Sequence, residues 1–187
     1  MDTEQITRVL TNDRRAKAIF GGVFARDEFI RLTPDNDKST RRTTKPRVYI
    51  CNVDNSSQPG THWLAIERHG DNVYYFDSFG LPPVLKEDLT EKITRMTNNR
   101  LFWNNVPLQE PSTNVCGYYC VIYCLLRSRH WTFDEIIDTL RGNNPHLLDK
   151  HQRDHVVSAF IHRQFKNVLP ELSATNADIH NIEQFIR

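Results

Sequence analysis

The chain has 187 residues, a length that fits one domain and allows it to bury roughly 70% of the surface that the unfolded chain exposes. The formal net charge is +1, which excludes a strong overall electrostatic attraction to nucleic acid or membrane. The sequence has no apolar run near the ~18 residues of a membrane span and no signal-peptide core, so we expect no membrane association and a reducing compartment, nucleus or cytoplasm.

The first third of the chain begins with helical spacing. Apolar residues and a capping box predict a helix over residues 3–11. An aromatic, turn-rich stretch follows over residues 20–29. The polar and basic segment 33–47 is predicted to be a solvated surface loop, and a weak contact between residues 38–47 and DNA is left open as the alternative.

Three strands come next in the prediction, because β-branched and aromatic runs are separated by turn residues. They cover residues 47–53, 61–68 and 73–77. The turn signal at residues 69–72 joins the second and third strands into a hairpin.

This hairpin has a consequence for His62 and Asp77. If its turn has an even number of residues, His62 pairs opposite Phe79, and Asp77 lies diagonally across on the same face of the sheet. Such neighbours are ~7–8 Å apart at Cα, within reach of a hydrogen bond between imidazole and carboxylate. An odd-length turn would put them on opposite faces.

The rest of the chain is mainly helical in pattern. The predicted elements are a helix over residues 84–97, a strand over 101–103, a loop over 104–115, an apolar helix over 116–127, a short helix capped by Thr132, and a long helix over 148–168. The long helix is expected to bury Val156, Val157, Phe160, Ile161 and Phe165. This order predicts an α+β fold with a central mixed or antiparallel sheet packed by helices, in a single domain over residues 1–187 whose tail, 170–187, is loosely packed.

Four cysteines occur, at Cys51, Cys116, Cys120 and Cys124. The last three recur every four residues, which stacks them on one helix face and disfavours a disulfide framework. No CxxC pair accompanies them, and His151 and His155 lack the glutamate of a zinc-protease helix, so no metal site is predicted. We expect Cys51, Cys120 and Cys124 to be reduced and buried.

Cys116 differs from the other three because it follows a polar loop and opens the apolar helix. The positive end of the helix dipole and the unpaired backbone N–H groups there favour a thiolate. Gly117 leaves room for a substrate backbone to approach. A lone cysteine at such a position is more often part of the core, so the thiol is significant only together with its companions.

Three further side chains complete the chemistry of a cysteine hydrolase. His62 would be the base and Asp77 its orienting carboxylate. Gln109, in the loop before Cys116, would donate a hydrogen bond to an oxyanion alongside the Cys116 backbone N–H. Taken singly, His62 is equally well a structural histidine and Gln109 an ordinary loop glutamine.

The motifs around these residues resemble the adenovirus-type cysteine endopeptidases (adenain-like proteases) and their wider clan, which includes the ubiquitin-like-protein proteases. The resemblance rests on residues 60–66 (GTHWLAI), 75–80 (YFDSFG), 108–109 (LQ) and 116–120 (CGYYC). Within this clan, the motifs most resemble those of proteases from adenovirus-related DNA viruses and virus-like DNA transposons.

The resemblance implies a cysteine-protease fold with Cys116 as nucleophile, His62 as general base, Asp77 as its orienting residue and Gln109 in the oxyanion hole. It also implies that Trp63 lies beside a cleft that prefers glycine near the scissile bond. The expected activity is cleavage of viral precursor proteins during virion maturation, by a monomer located in the virion and in the host nucleus or cytoplasm.

Adenoviral enzymes of this kind are activated by DNA and by a peptide linked through a disulfide. Residues 97–100 hold no cysteine at the equivalent position, and the chain is nearly neutral, so neither cofactor is expected to be required. Two alternatives stay open: an isopeptidase that removes ubiquitin or a ubiquitin-like modifier, and a catalytically silent binding module that uses the basic loop.

Overall fold

A five-stranded mixed sheet with helices on both faces makes this an α+β fold. The structure, a computed structural model, describes residues 1–32, 45–97, 100–142 and 149–171. The helices in these ranges are α1 (Thr3–Asn12), α2 (Arg14–Ile19), α3 (Arg26–Arg31), α4 (Glu87–Met96), α5 (Cys116–Arg127), α6 (Phe133–Arg141) and α7 (Lys150–Gln164). The strands are β1 (Phe20–Phe24), β2 (Arg47–Asn52), β3 (Trp63–His69), β4 (Asn72–Phe76) and β5 (Leu101–Trp103). The predicted DNA contact at 38–47 and the predicted tail at 170–187 lie largely outside the described residues.

The five strands follow the order of the chain across the sheet. The central strands β2, β3 and β4 form an antiparallel meander. The edge strands β1 and β5 each pair in parallel with their neighbour. The prediction of a central mixed sheet packed by helices is confirmed.

The hairpin of β3 and β4 closes through a two-residue turn at Gly70 and Asp71. His69 pairs with Asn72 at its end, which is the register of an even-length turn. Gly70 has φ of 60°, a left-handed conformation that glycine adopts without the steric cost of a Cβ atom. The predicted register is therefore confirmed.

Two hydrophobic cores lie on the two faces of the sheet. On one face α5 is packed among α1, α2, α6 and α7, and every residue of α5 is buried. On the other face α3 and α4 cover the sheet through Phe29, Leu89 and Ile93. The apolar character of α5 on all sides follows from this central place, because it has no solvent-facing side to make polar.

The stretch over residues 20–29 was expected to be turn-rich, and that expectation is wrong. It forms β1 and α3. The misleading residues are Gly21 and Gly22. A Cβ atom on Gly21 would lie 2.5 Å from the Tyr49 ring, and Gly22 has φ of 123° beside a register shift in β1. Both glycines therefore serve an irregular strand rather than a reversal of the chain.

A buried ionic cluster ties β3 to α5. Glu67 on β3 is 0% exposed, and it accepts hydrogen bonds from Tyr123 Oη and Arg127 Nε at 2.6 Å each. Arg127 Nη2 also donates to the second oxygen of Glu67, which makes the pair bidentate. The Arg127 guanidinium lies 5.7 Å from the centre of the Tyr74 ring on β4. The strand that follows His62 and the helix that begins at Cys116 are thus fixed to each other.

Helix α7 is shorter than the predicted 148–168, and its buried face is narrower. Val157, Ile161 and Phe165 are buried as expected, but Val156 and Phe160 are only partly buried. In the described part of the chain, none of the helices combines the length and apolar character needed to cross a membrane.

Candidate active site

His62 and Asp77 flank the paired parts of the hairpin, at the same end of the sheet. His62 directly precedes β3, and Asp77 directly follows β4. His62 Nε2 donates to Asp77 Oδ1 over 2.8 Å. The prediction that the register brings these two side chains within hydrogen-bonding distance is confirmed.

Contacts other than the one with the imidazole also fix the position of the Asp77 carboxylate. Its side chain is fully buried, and its Oδ1 also accepts from the Phe79 backbone N–H at 2.8 Å. Asn104 bonds both sides of the Asp77 backbone: its Oδ1 accepts from the Asp77 N–H, and its Nδ2 donates to the Asp77 carbonyl. The Phe79 ring stacks on the His62 ring with 4.7 Å between centres. The position and tilt of the imidazole are therefore set from two sides.

Cys116 is the first residue of α5, as the sequence predicted, and the residue is 8% exposed. Burial alone would raise the pKa of the Cys116 thiol. Hydrogen bonding from His62 and from the backbone N–H groups of Trp63 and Gly117 outweighs burial and holds this pKa below its ordinary value. The thiol is thus the acidic one of the four.

His62 shows the complementary shift. Burial acts to lower its pKa, but the hydrogen bonds to Asp77 and Cys116 and the negative charges of both raise it to about 9. Because Nε2 is bonded to Asp77, Nδ1 is the nitrogen left to face the Cys116 sulfur. The pair is therefore suited to exist as thiolate and imidazolium near neutral pH.

The other three cysteines are free and buried, as predicted. Burial raises the pKa of each of them, and Cys51, Cys120 and Cys124 are all 0% exposed. Among the described residues, no group of three His, Cys, Asp or Glu side chains could hold a metal ion.

Gln109 lies in the loop before α5, on the same side of the molecule as Asp77, and is 1% exposed. The Gln109 and Leu108 backbone N–H groups donate to the Ser78 carbonyl at 2.9 and 2.8 Å. Its side-chain oxygen accepts from Ser78 Oγ at 2.7 Å, and its Nε2 donates to the Thr113 carbonyl at 2.6 Å. Nε2 also donates to Thr113 Oγ1 at 3.3 Å, so the amide is held between Ser78 and Thr113. Its role toward an oxyanion stays a prediction.

Trp63 and Gly117 lie side by side next to the thiol. A Cβ atom on Gly117 would lie 3.1 Å from Met1 Cβ and 3.3 Å from Trp63 Cδ1. The Trp63 indole N–H donates to the Met1 carbonyl at 3.0 Å. Gly117 therefore permits close packing of the N-terminal segment against the indole, and its predicted contact with substrate remains untested.

Several residues that support the site were not singled out from the sequence. Ser78 and Asn104 act through contacts between distant loops, which no local pattern reveals. Phe79 was placed opposite His62 by the predicted register, but its stacking on the imidazole was not anticipated. Asp154 on α7 is different, because it precedes Val157 and Ile161 at helical spacing and so falls on the buried face. A charged residue on an apolar stripe is a signal that could have marked it.

Comparison with known proteins gives a likeness to solved structures but no match to a family. No family profile and no curated protein matches the chain. Among solved structures, the chain is similar to one described as the crystal structure of the Se-Met ASFV pS273R protease, at 22% sequence identity and a TM-score of 0.38. The match covers 60% of this chain and 42% of that chain, so it spans less than half of the length of that protease.

Proposed function

We propose that this chain is a cysteine endopeptidase with Cys116 as nucleophile and His62 as general base. The observation that carries the proposal is the placement of His62 between a fully buried carboxylate and a thiol at a helix N-terminus, with the pKa of His62 raised and that of Cys116 lowered. Opposite shifts in two adjacent groups are typical of an activated nucleophile and its base.

The proposed reaction proceeds through an acyl-enzyme. The Cys116 thiolate attacks the scissile carbonyl carbon, and the carbonyl oxygen becomes an oxyanion. The Cys116 backbone N–H, which as a first-turn amide has no intrahelical acceptor, and the Gln109 amide would stabilise that oxyanion. The His62 imidazolium gives its proton to the departing amine, leaving a thioester. Neutral His62 then takes a proton from water as that water attacks the thioester, which releases the carboxylic acid and restores the Cys116 thiolate beside the His62 imidazolium.

The narrow approach to the thiol supports a preference for glycine at the scissile bond. Cys116 and His62 are each only 8% exposed, and the Trp63 indole lies against Gly117 beside them. A substrate residue with a large side chain would collide with these groups. Together with the resemblance of the motifs to adenovirus-type proteases, this favours viral precursor proteins as substrates, cleaved during virion maturation.

A cleavage profile of the purified protein on a peptide library, with and without DNA, tests the proposal. We expect cutting of glycine-containing peptides, complete loss of turnover in Cys116→Ala with an unchanged circular dichroism spectrum, and full turnover in Cys120→Ala, which removes a buried thiol one helical turn away. Turnover of fluorogenic ubiquitin without cutting of peptides would contradict an endopeptidase and favour an isopeptidase. Absence of both activities, with no labelling of Cys116 by a thiol-directed carbonyl probe, would refute catalysis.

A further inference from the structure

A carboxylate on α7 reaches the loop that carries Gln109. Asp154 is 3% exposed, and it accepts three hydrogen bonds from outside its own helix. Its Oδ2 accepts from the Glu110 backbone N–H at 3.1 Å and from Thr113 Oγ1, and its Oδ1 accepts from Tyr119 Oη at 2.8 Å. Two of these donors belong to the loop between Gln109 and Cys116, and the third belongs to α5.

From these contacts we infer that Asp154 is a positioning residue for the oxyanion-stabilising amide of Gln109. The inference rests on the proposed peptidase function. Gln109 is held on one side by Ser78, and on the other its Nε2 bonds the carbonyl of Thr113. Thr113 is in turn bonded to Asp154. The chain of contacts therefore runs from α7 through Thr113 to the amide.

The loop would be poorly fixed without this anchor. Its internal bonds join Thr113 to the Glu110 carbonyl, and they close a local turn without attaching it to the body of the protein. The attachments are Ser78 and the Tyr119 hydroxyl, which donates to the Leu108 carbonyl at 3.3 Å, at one end, the start of α5 at the other, and Asp154 between them. A displacement of about 1 Å in a catalytic group can cost roughly 100-fold in rate, so a missing central anchor is expected to be visible in turnover.

The chemistry of a carboxylate suits this place. Asp154 is met by three donors and, among the described residues, forms no ion pair. An ionised carboxylate accepts on both oxygens and donates nothing. An asparagine would direct an N–H₂ group either at the Glu110 N–H and Thr113 or at the Tyr119 hydroxyl. Burying a carboxyl group is costly for stability unless its oxygens accept hydrogen bonds, and here two of the donors that meet them fix the loop to α7.

The test compares Asp154→Ala and Thr113→Val with the control Ser158→Ala. Ser158 lies one turn along α7 and bonds the Asp154 carbonyl, not the loop. For each protein we would measure kcat and KM on a cleaved peptide, the rate of Cys116 alkylation by iodoacetamide, and hydrogen exchange of the amides of residues 108–114. Alkylation needs the thiolate but no oxyanion site, so it separates nucleophile activation from oxyanion stabilisation.

We expect kcat to fall between about 10- and 100-fold in Asp154→Ala and Thr113→Val, with KM and the alkylation rate within twofold of wild type and with faster exchange of the loop amides. Ser158→Ala should match wild type. Unchanged kcat in Thr113→Val, or alkylation that falls in parallel with kcat, would overturn the inference. Thr113 Oγ1 also contacts Gln109 Nε2, so Thr113→Val removes both contacts at once. If Asp154→Ala fails to fold, Asp154→Asn therefore takes its place, with the same outcome expected and an unchanged kcat again overturning the inference. A wild-type protein that is alkylated at Cys116 but cleaves no peptide would refute the proposed function itself.

Discussion

At the scale of single residues, the protonation of His62 controls the proposed chemistry, because its two neighbours both shift its pKa in the same direction. Asp77 and Cys116 both favour its protonated form and together raise its pKa to about 9. Imidazolium in turn favours the thiolate and lowers the pKa of Cys116. The reactive form is therefore the one in which Cys116 has lost a proton and His62 has kept one.

This coupling predicts a bell-shaped dependence of kcat/KM on pH. Activity should rise as pH passes the lowered pKa of Cys116 and fall as pH passes about 9, where His62 loses its proton. In Asp77→Asn the negative charge that raises the His62 pKa is gone, so the alkaline limb should move to lower pH and kcat should fall severely, by up to about 10⁴-fold. A pH–rate profile of both proteins measures this.

The control for Asp77→Asn is Asp71→Asn, in the exposed hairpin turn at the other end of the strands. Its profile should overlay that of wild type. An alkaline limb that stays near pH 9 in Asp77→Asn would mean that Asp77 does not set the charge of His62.

The proposed role of Gln109 leads to a separate prediction about the activation free energy of peptide cleavage. Gln109→Ala should raise the activation free energy by about 2–4 kcal/mol, because one oxyanion donor is lost. The Gln109 amide bonds Ser78 and Thr113, so its loss should leave the hydrogen bonds of the thiol in place. Iodoacetamide should therefore alkylate Cys116 at the wild-type rate. An unchanged kcat would remove Gln109 from the oxyanion site.

The sequence predicts much of this site at the residue scale, and the reason is local. The place of Cys116 at the start of a helix and the pairing of His62 with Asp77 both depend on short-range spacing. Such spacing can be read from the periodicity of the sequence. The contacts that hold the loop of Gln109 do not follow such spacing. Ser78, which bonds Gln109, comes from the end of the hairpin, and Asp154, which bonds Thr113, comes from α7, so their approach depends on the packing of the whole chain.

At the scale of elements, β3 and α5 must keep a fixed relation because each positions one half of the His62–Cys116 pair. The buried cluster of Glu67, Tyr123 and Arg127 provides a tie between them. It lies near the far end of α5 from Cys116, so it controls the direction of the helix relative to the strand.

Removing one member of this cluster should destabilise the protein strongly. Arg127→Met would leave the Glu67 carboxylate buried without its ion-pair partner, and we expect a loss of about 3–5 kcal/mol in the free energy of unfolding. Denaturant titration would measure it. The double variant Glu67→Gln with Arg127→Met should lose less, since the orphaned charge is gone.

A surface ion pair supplies the control for Arg127→Met. Arg95 and Glu91 lie one turn apart on α4 with their side chains 77% and 55% exposed. Arg95→Met should change the free energy of unfolding by no more than about 0.5 kcal/mol. A loss in Arg127→Met as small as that of Arg95→Met would mean that the cluster does not tie the two elements.

Helices and strands were predicted correctly where the spacing of apolar residues stayed constant along the whole segment. Helix α5 was predicted with its observed ends, and α6 with its Thr132 cap. Strand β1 was missed because two consecutive glycines, Gly21 and Gly22, usually indicate a turn. In the structure, Gly21 makes room for the Tyr49 ring of the neighbouring strand, and Gly22 lies at a bulge. A contact across a sheet leaves no trace in local sequence.

At the scale of the whole molecule, the four thiols divide into one that is activated and three that are sealed in the core. Cys51, Cys120 and Cys124 are 0% exposed with raised pKa values, whereas the pKa of Cys116 is lowered. Because thiolate character and access together set reactivity, the folded protein should react as if it had a single thiol.

Thiol counting tests this division. We expect one equivalent of a maleimide to react rapidly with the native protein, and four with the protein in denaturant. Cys116→Ala should leave no rapidly reacting thiol. The slow phase should report global opening, because all three remaining thiols are within the two cores. Two or more fast thiols in the native state would contradict the packing of α5 or β2.

The contact between Met1 and the Trp63 indole has a practical consequence. Because Met1 packs against Gly117 and Trp63, any residues attached ahead of it would emerge beside the nucleophile and compete with incoming polypeptide. An affinity tag placed there should depress measured turnover, and its removal by a sequence-specific protease should restore the rate. Equal rates before and after removal would show that the chain leaves in another direction.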